Sequence, residues 1–320
     1  MRPLPQLAAV AIIIAVLLLS GRTAPADPVS GTIRIGSSTD DAARPIIYAA
    51  DAGLFKKAGL DVEIVKLSNG AAVAAAVAGG AVDIGKGSAL TPILAYAKGI
   101  PFTITSNLSN YTSDDPNIGL IVRRDSTIAA PKDLIGKTIG LNGLQDQNAL
   151  AMYSWLEQNG IDLGSVKFVE IPSSAQLAAL DQARVDAAVV LEPNFSSALA
   201  TGRVRTLAYP WNAMGKRYTQ AVMFSTTAWV GAHKDAIDRV NRVLHDAGIY
   251  VAAHENDTKI YAAQFAGIDV ASLADFRASE RGVTLVPADL QPTIDAAAKY
   301  KLIDKSFPAG DIICGCAIKR

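Results

Sequence analysis

The chain has 320 residues, half of them hydrophobic and 19% charged, which is enough apolar material for two ordinary domains and too much for a disordered chain. Thirty Lys and Arg balance thirty Asp and Glu, so the formal net charge is zero. No basic stripe or tail is present, which argues against nucleic acid or an anionic membrane surface as partner.

In chain order, Arg2 precedes an apolar run of 13 residues, Leu7–Leu19, short for a membrane span and suited to the core of an export signal. Ala24-Pro25-Ala26 supplies small residues of the kind a signal peptidase accepts, so residues 1–26 are expected to be a cleaved signal peptide and Asp27 the mature start. An uncleaved N-terminal anchor is the alternative. Arg22 stands where a lipoprotein box would carry its Cys, which argues against lipidation.

The period-two residues Ile33 and Ile35 predict a first strand, followed by a Ser/Thr/Asp loop and a helix that Asp40 or Asp41 caps ahead of Pro45. Val62–Val65 starts a second strand. Ala71–Ala78 reads as a helix stopped by Gly79-Gly80, Val82–Gly85 as a short strand, and Ser88–Ala97 as a helix.

The second half repeats this order about 101–105 residues later. Gly136–Leu141 is its first strand, Asn142–Asn148 its polar loop and Ala149–Gln158 its helix. Val166–Ile171, the helix Ala175–Ala183 and the strand Val185–Val190 complete the copy. "VAGGAVDIGKGSAL" (77–90) and "LDQARVDAAVVLEP" (180–193) are the two versions of one unit, and the shared Asp83 and Asp186 read as structural turn residues. Strands alternating with short helices predict parallel α/β sheets, one per lobe.

Phe102–Leu120 and Gln220–Val230 are strand-like stretches able to link the lobes. Crossing at both places residues 31–112 and 228–320 in lobe 1 and residues 116–222 in lobe 2. The last hundred residues read as mainly helical. In 234–254, Ile237, Val240, Val243, Leu244 and Ile249 are expected on one packing face.

Four segments together resemble a known family. "AADAGLFKKAGLDVEIV" (49–65), "AVAGGAVDIGKGSALTPILAYAKGIP" (76–101), "PKDLIGKTIGL" (131–141) and "ARVDAAVVLEPNFSSAL" (183–199) look like signatures of ABC-importer substrate-binding proteins of the nitrate/taurine/alkanesulfonate and thiamine-pyrimidine-precursor group. The likeness covers about residues 31–255. It implies a two-lobed α/β periplasmic-binding-protein fold of the second type with two hinge crossings. It also implies a periplasmic, non-enzymatic and monomeric protein that captures a small solute and delivers it to an ABC permease.

Loops at the carboxyl ends of strands are where open α/β sheets bind ligands, and four qualify. Ser38, Thr39 and Asp40, with Arg44 close behind, combine hydroxyls and helix-start amides with charge. Lys86, Gly87 and Ser88 combine a cation with close backbone approach and a helix cap. Asn142, Gln145 and Asp146 crowd hydrogen-bonding groups at the matching helix of lobe 2. Glu192, of Glu192-Pro193, emerges from a buried strand, where a carboxylate needs a cation or a ligand donor. Trp211 is a candidate stacking wall. Capping, solvation and core packing are the structural alternatives for these residues.

Lys86, Arg44 and helix-start amides favour an anion such as a sulfonate, taurine or nitrate, whereas Glu192 favours an amine or aminopyrimidine. No cofactor is indicated. The rival reading is an enzyme of pyrimidine or lyase type on the same fold. Against it stand the export signal, the lack of a His/Cys constellation and the spacing of His233, His245 and His254, which forms no metal-ligand pattern. A ligand-sensing receptor module would need a second transmembrane run, and none is seen. Cys314 and Cys316 fit either a tight Cys-x-Cys disulfide or two thiols.

Overall fold

The computed structural model describes residues 31–318. The expected signal peptide therefore lies outside the described residues. Eleven strands run through the described chain: β1 (Ile33–Ser37), β2 (Val62–Lys66), β3 (Ile84–Ser88), β4 (Phe102–Thr112), β5 (Ile118–Arg123), β6 (Thr138–Leu141), β7 (Lys167–Glu170), β8 (Ala187–Leu191), β9 (Val204–Ala208), β10 (Arg217–Thr226) and β11 (Glu280–Arg281). They form a six-stranded sheet in the order β11-β4-β10-β3-β1-β2 and a five-stranded sheet in the order β7-β6-β8-β5-β9.

The repeat is visible in both sheets. β1 pairs in parallel with β2 and β3, and β6 pairs in parallel with β7 and β8. Asp83 and Asp186 do the same job at the foot of each copy. Asp83 donates its N–H to the Arg34 carbonyl (2.9 Å) and accepts the Arg34 N–H on its carboxylate (2.8 Å). Asp186 donates to Thr138 O (2.8 Å) and accepts Thr138 N–H (2.9 Å). A carboxylate there closes the ladder where the strand has run out of backbone partners.

Apolar alternation explains the layers. On β8, Ala187 and Val189 face one core with Leu120, Val122, Ile139 and Met152, while Ala188 and Val190 face another with Ile121, Phe195 and Val204. The larger sheet is likewise covered on both faces. Val73, Val77, Ile93 and Ile294 pack on one side, and Ile46, Phe55, Ile237 and Val240 on the other. At Gly85 an added Cβ would lie 2.7 Å from the Phe224 ring and 2.8 Å from Val73, so the close helix-on-strand packing there requires glycine. In the helix Lys234–Ala253, Ile249 departs from the expected face and is 51% exposed, while Ile237, Val240, Val243 and Leu244 are buried as expected. Twelve residues beyond Ile237, it has rotated about a third of a turn off the buried stripe.

The chain passes between the sheets twice. It leaves the larger sheet after β4 and returns at β10, whose residues Arg217–Thr226 pair antiparallel with β4 from Thr112 back to Phe102. The return therefore precedes Arg217, and residues 217–222, expected in lobe 2, belong to the larger sheet. They begin a central strand, held by β4 along its length and by β3 over Ala221–Phe224. The ends of the two long strands carry Tyr111 and Tyr218 into the smaller lobe's core beside Trp211. This is the two-lobed, twice-crossed architecture that the family resemblance implies. Cys314 and Cys316, whose state the spacing left open, are joined in a disulfide.

Candidate functional site

β3 extends to Ser88, so Gly85, Lys86 and Gly87 are strand residues rather than a loop. A cleft between the lobes opens at the carboxyl ends of β1, β3, β6 and β8. The larger lobe contributes Ser38, Asp40, Gly70, Lys86, Ser88, Gln220 and Ala221. The smaller contributes Asn142, Asp146, Gln147, Asn148, Leu191 and Trp211. As it stands between the lobes the cleft is narrow, a cavity of about 40 Å³. A polar extension lined by Thr39, Ser68, Ser173 and Ser174 shares Ser38, Asp40 and Asn142 with it.

Lys86 is 1% exposed, and its ammonium bonds to the Asp40 carboxylate, to Ser38 Oγ (3.2 Å) and to Ser38 O (3.4 Å). Asp40 also caps the turn that follows, accepting Ala42 N–H at 3.1 Å. Asp146 caps the helix Gln147–Gln158, accepting from Ala149 N (3.0 Å) and from Asn148 Nδ2 (3.1 Å). It is half-buried in the cleft wall, and burial pushes its carboxyl up to about 7 against the opposing pull of those bonds. Asn148 Oδ1 in turn accepts the Trp211 indole N–H at 3.0 Å. Asn142 Oδ1 accepts from Ser173 N (3.3 Å) and Oγ (3.1 Å).

Gln147, Asn148 and Gln220 were missed by sequence reasoning. Gln147 donates from Nε2 to Thr219 O (3.1 Å) and Thr293 Oγ1 (3.4 Å), leaving Oε1 buried without a partner. Gln220 Oε1 is also buried and unpartnered. Gln147 and Asn148 belonged to the polar run already read as a loop. Gln220, inside an apolar strand, had only its isolated polarity as a signal.

Four expected site residues lie elsewhere. Arg44 is fully buried, with Nε 2.6 Å from Asp41 Oδ1, Nη1 donating to Thr258 Oγ1 (3.3 Å) and the guanidinium over the Phe276 ring. Its charge is consumed in the larger lobe. Burial lowers it to about 10, partly offset by Asp41. For Asp41, burial by itself raises the carboxyl, but Arg281, Arg44 and the bonds from Ser279 outweigh that and hold it at about 2. Gly87 lies inside β3 opposite Val222, and Gln145 borders a separate apolar groove with Ala71, Ala74 and Leu94. Trp211 touches the cleft floor, but its ring is stacked on Tyr218 and is 1% exposed, so it is a packing residue first.

Glu192 is the largest correction. It is buried outside the cleft lining, at a cis Glu192–Pro193 peptide. Its carboxyl accepts from Ser196 N (3.2 Å), Ser196 Oγ (2.5 Å) and Arg277 N (3.3 Å). Burial raises it to about 8 in spite of these bonds. Local donors satisfy it, so it is spent at the lobe junction.

The lobes are bonded to each other around the cleft. Asp41 N–H donates to Glu192 O (3.0 Å), Asn69 Nδ2 to Glu170 Oε1 (3.1 Å) and Ser196 Oγ to Asp275 O (3.1 Å). Among the described residues no group of three or more His, Cys, Asp or Glu is placed to hold a metal ion, and no helix is long and apolar enough to cross a membrane.

A two-lobed frame with this cleft agrees with a family model described as NMT1/THI5 like, which matches residues 42–258. The chain belongs to that family. Among curated proteins it is similar to the taurine-binding periplasmic protein of Escherichia coli K12, at 29% identity over 163 residues, 50% of this chain and 48% of that one. It is also similar to the 4-amino-5-hydroxymethyl-2-methylpyrimidine phosphate synthase of Schizosaccharomyces pombe, at 33% over 99 residues, 31% of this chain and 28% of that one. The matched part thus spans about half or less of these curated relatives. The crystal structure of the periplasmic aliphatic sulphonate binding protein SsuA from Escherichia coli superposes with a TM-score of 0.71 at 20% identity, covering 88% of this chain and 97% of that one. This likeness shows that the fold is the periplasmic-binding-protein fold.

Proposed function

We propose that this family member is the exported solute-binding component of an ABC importer. It captures a small organic solute between its lobes, and the closed form docks on an inner-membrane permease. The observation that carries the reading is a small polar cleft lined from both lobes, with lobe-to-lobe hydrogen bonds around it. Binding energy that appears only on closure shifts the open–closed balance, and a micromolar solute yields about −8 kcal/mol for this purpose. The candidate solutes are a pyrimidine-like precursor and a sulfonate-, taurine- or nitrate-type anion. Ser38, Thr39, Asp40, Lys86, Ser88, Asn142 and Asp146 are the proposed contacts from the sequence, joined by Gln147, Asn148 and Gln220. A second reading, an enzyme of pyrimidine type on the same fold, draws on the Schizosaccharomyces pombe relative.

Expression in a bacterium with the native leader tests the reading. The expected result is a periplasmic chain beginning at Asp27, carrying or accepting one small molecule that reduces the radius of gyration in solution scattering. At a hundredfold excess over the dissociation constant, ligand should add about 2.7 kcal/mol of stability. Chemical conversion of the bound compound would favour the enzyme reading instead, and an unchanged scattering curve with ligand bound would reject closure.

A further inference from the structure

We infer that Cys314 and Cys316 form a redox-active site that exchanges its disulfide with a low-molecular-weight thiol, independently of what the cleft binds. They are the chain's two cysteines, joined across a single intervening residue, Gly315. With Gly315 they line a hollow of about 570 Å³, which Thr103, Thr227, Lys234 and Asp238 also border. The hollow shares no residue with the cleft. It lies at the opposite end of the larger sheet. β10 meets the cleft at Ala221, beside Ser88 of β3, and ends at Thr226 opposite Phe102, next to Thr103 and Thr227.

The fold does not need the bond. A disulfide stabilises chiefly by constraining the unfolded chain, and one that spans a single residue constrains it least. Other bonds hold the segment that carries the cysteines. Cys314 N–H donates to Ile104 O (2.9 Å), Ile104 N–H to Ile312 O (2.8 Å), Leu285 N–H to Ile318 O (2.9 Å) and Asn241 Nδ2 to Cys316 O (3.1 Å). Disulfides that are exposed and tightly closed are the labile ones, whereas buried structural ones resist the glutathione pool. Cys314 and Cys316 are half-buried and Gly315 is exposed, so an incoming thiolate reaches the bond from the hollow.

The two sulfurs are not equivalent. Cys316 N–H donates to Cys314 Sγ at 3.0 Å, and a backbone N–H there stabilises negative charge on that sulfur. Cys314 is therefore the better leaving group, and attack falls on Cys316. The incoming thiolate forms a new S–S bond to Cys316 Sγ, the Cys314–Cys316 bond breaks, and its electron pair leaves on Cys314 as the thiolate. A second thiolate then attacks the external sulfur, releasing an external disulfide and the Cys316 thiolate. In sum, two external thiols lose two electrons and two protons, and the protein disulfide gains them to become two thiols.

The mature chain, equilibrated with reduced and oxidised glutathione at stepped ratios, alkylated and weighed intact, tests this. We expect both cysteines to be alkylated in millimolar reduced glutathione while the chain stays folded, with its far-UV spectrum unchanged. Cys314→Ser, which lacks the resolving thiol, should accumulate a mixed disulfide with glutathione on Cys316. Cys316→Ser keeps the backbone N–H, so its Cys314 thiol should be alkylated at pH 7 about threefold faster than the Cys316 thiol of Cys314→Ser. Both variants keep the backbone bonds that hold the segment. A disulfide that opens only in denaturant, or that stays closed in millimolar glutathione, overturns the inference. Opening by a dithiol enzyme but not by glutathione overturns the assignment to a small thiol. Alkylation of Cys316 as fast as Cys314, or faster, overturns the direction of attack.

Discussion

The backbone N–H of Asp41 donates to the carbonyl oxygen of Glu192 at 3.0 Å, joining a buried residue of the larger lobe to a buried residue of the smaller. One segment grips both side chains. Ser279 N–H donates to Asp41 Oδ2 at 2.8 Å, and Arg277 N–H donates to Glu192 Oε1 at 3.3 Å. Burial raises both carboxyls, yet they end on opposite sides of their ordinary values, because Asp41 has two guanidiniums beside it, whereas the bonds to Glu192 come from neutral donors.

Glu192 should make stability depend on pH. Its carboxyl keeps its proton in the folded chain up to about 8, whereas in the unfolded chain it ionises near its ordinary value of 4.5. The contribution is therefore full below 4.5 and is lost as pH rises through about 8, with a slope of at most about 1.4 kcal/mol per pH unit for one proton. Denaturant titrations of wild type and Glu192→Gln between pH 5 and 9 should show the flatter profile in the variant. Superimposable profiles would show that Glu192 is ionised in the fold.

Arg44 should matter for folding and not for solute recognition. Arg44→Met leaves Asp41 with one guanidinium instead of two, and breaking a buried ion pair from one side costs about 3–5 kcal/mol. The denaturation midpoint should fall accordingly, while solute affinity of the folded fraction stays within about twofold. A large affinity loss with normal stability would return Arg44 to the site.

Closure should depend on the bond from Asn69 to Glu170. Asn69→Ser keeps an oxygen able to cap the helix Gly70–Ala78 but is too short to reach Glu170. Losing one exposed hydrogen bond of the closed form should cost about 0.5–1 kcal/mol, hence two- to fivefold in solute affinity. The dissociation rate should account for most of it. Unaltered kinetics would mean that the contact forms equally in the open state.

The duplicated Asp83 and Asp186 should behave as structural twins of unequal weight. Both accept a backbone N–H at a strand foot, but Asp83 also binds the Arg34 guanidinium through Nε (3.1 Å) and Nη2 (2.9 Å). Each Asp→Ala change should cost about 1–3 kcal/mol, more at Asp83, with solute affinity unchanged. Loss of binding without loss of stability at either position would contradict the structural assignment.

Sequence alone determined the two copies of the strand–helix unit, their parallel pairing, the structural role of Asp83 and Asp186, and the loops around Ser38, Asp40, Asn142 and Asp146 that meet at the cleft. These follow from periodicity, glycine stops and capping residues, which act over a few neighbours and so are written locally. Only the tertiary structure decided which charged groups were free. Arg44 reads as an anion ligand until Asp41 and Thr258 close on it, and Glu192 reads as a ligand acid until Arg277 N–H, 85 residues further on, reaches it. Gln147 and Gln220 became visible only through what they lack, a partner for one buried oxygen each. Whether a polar group is satisfied depends on atoms brought to within about 3 Å by folding. Spacing along the chain carries no record of that distance.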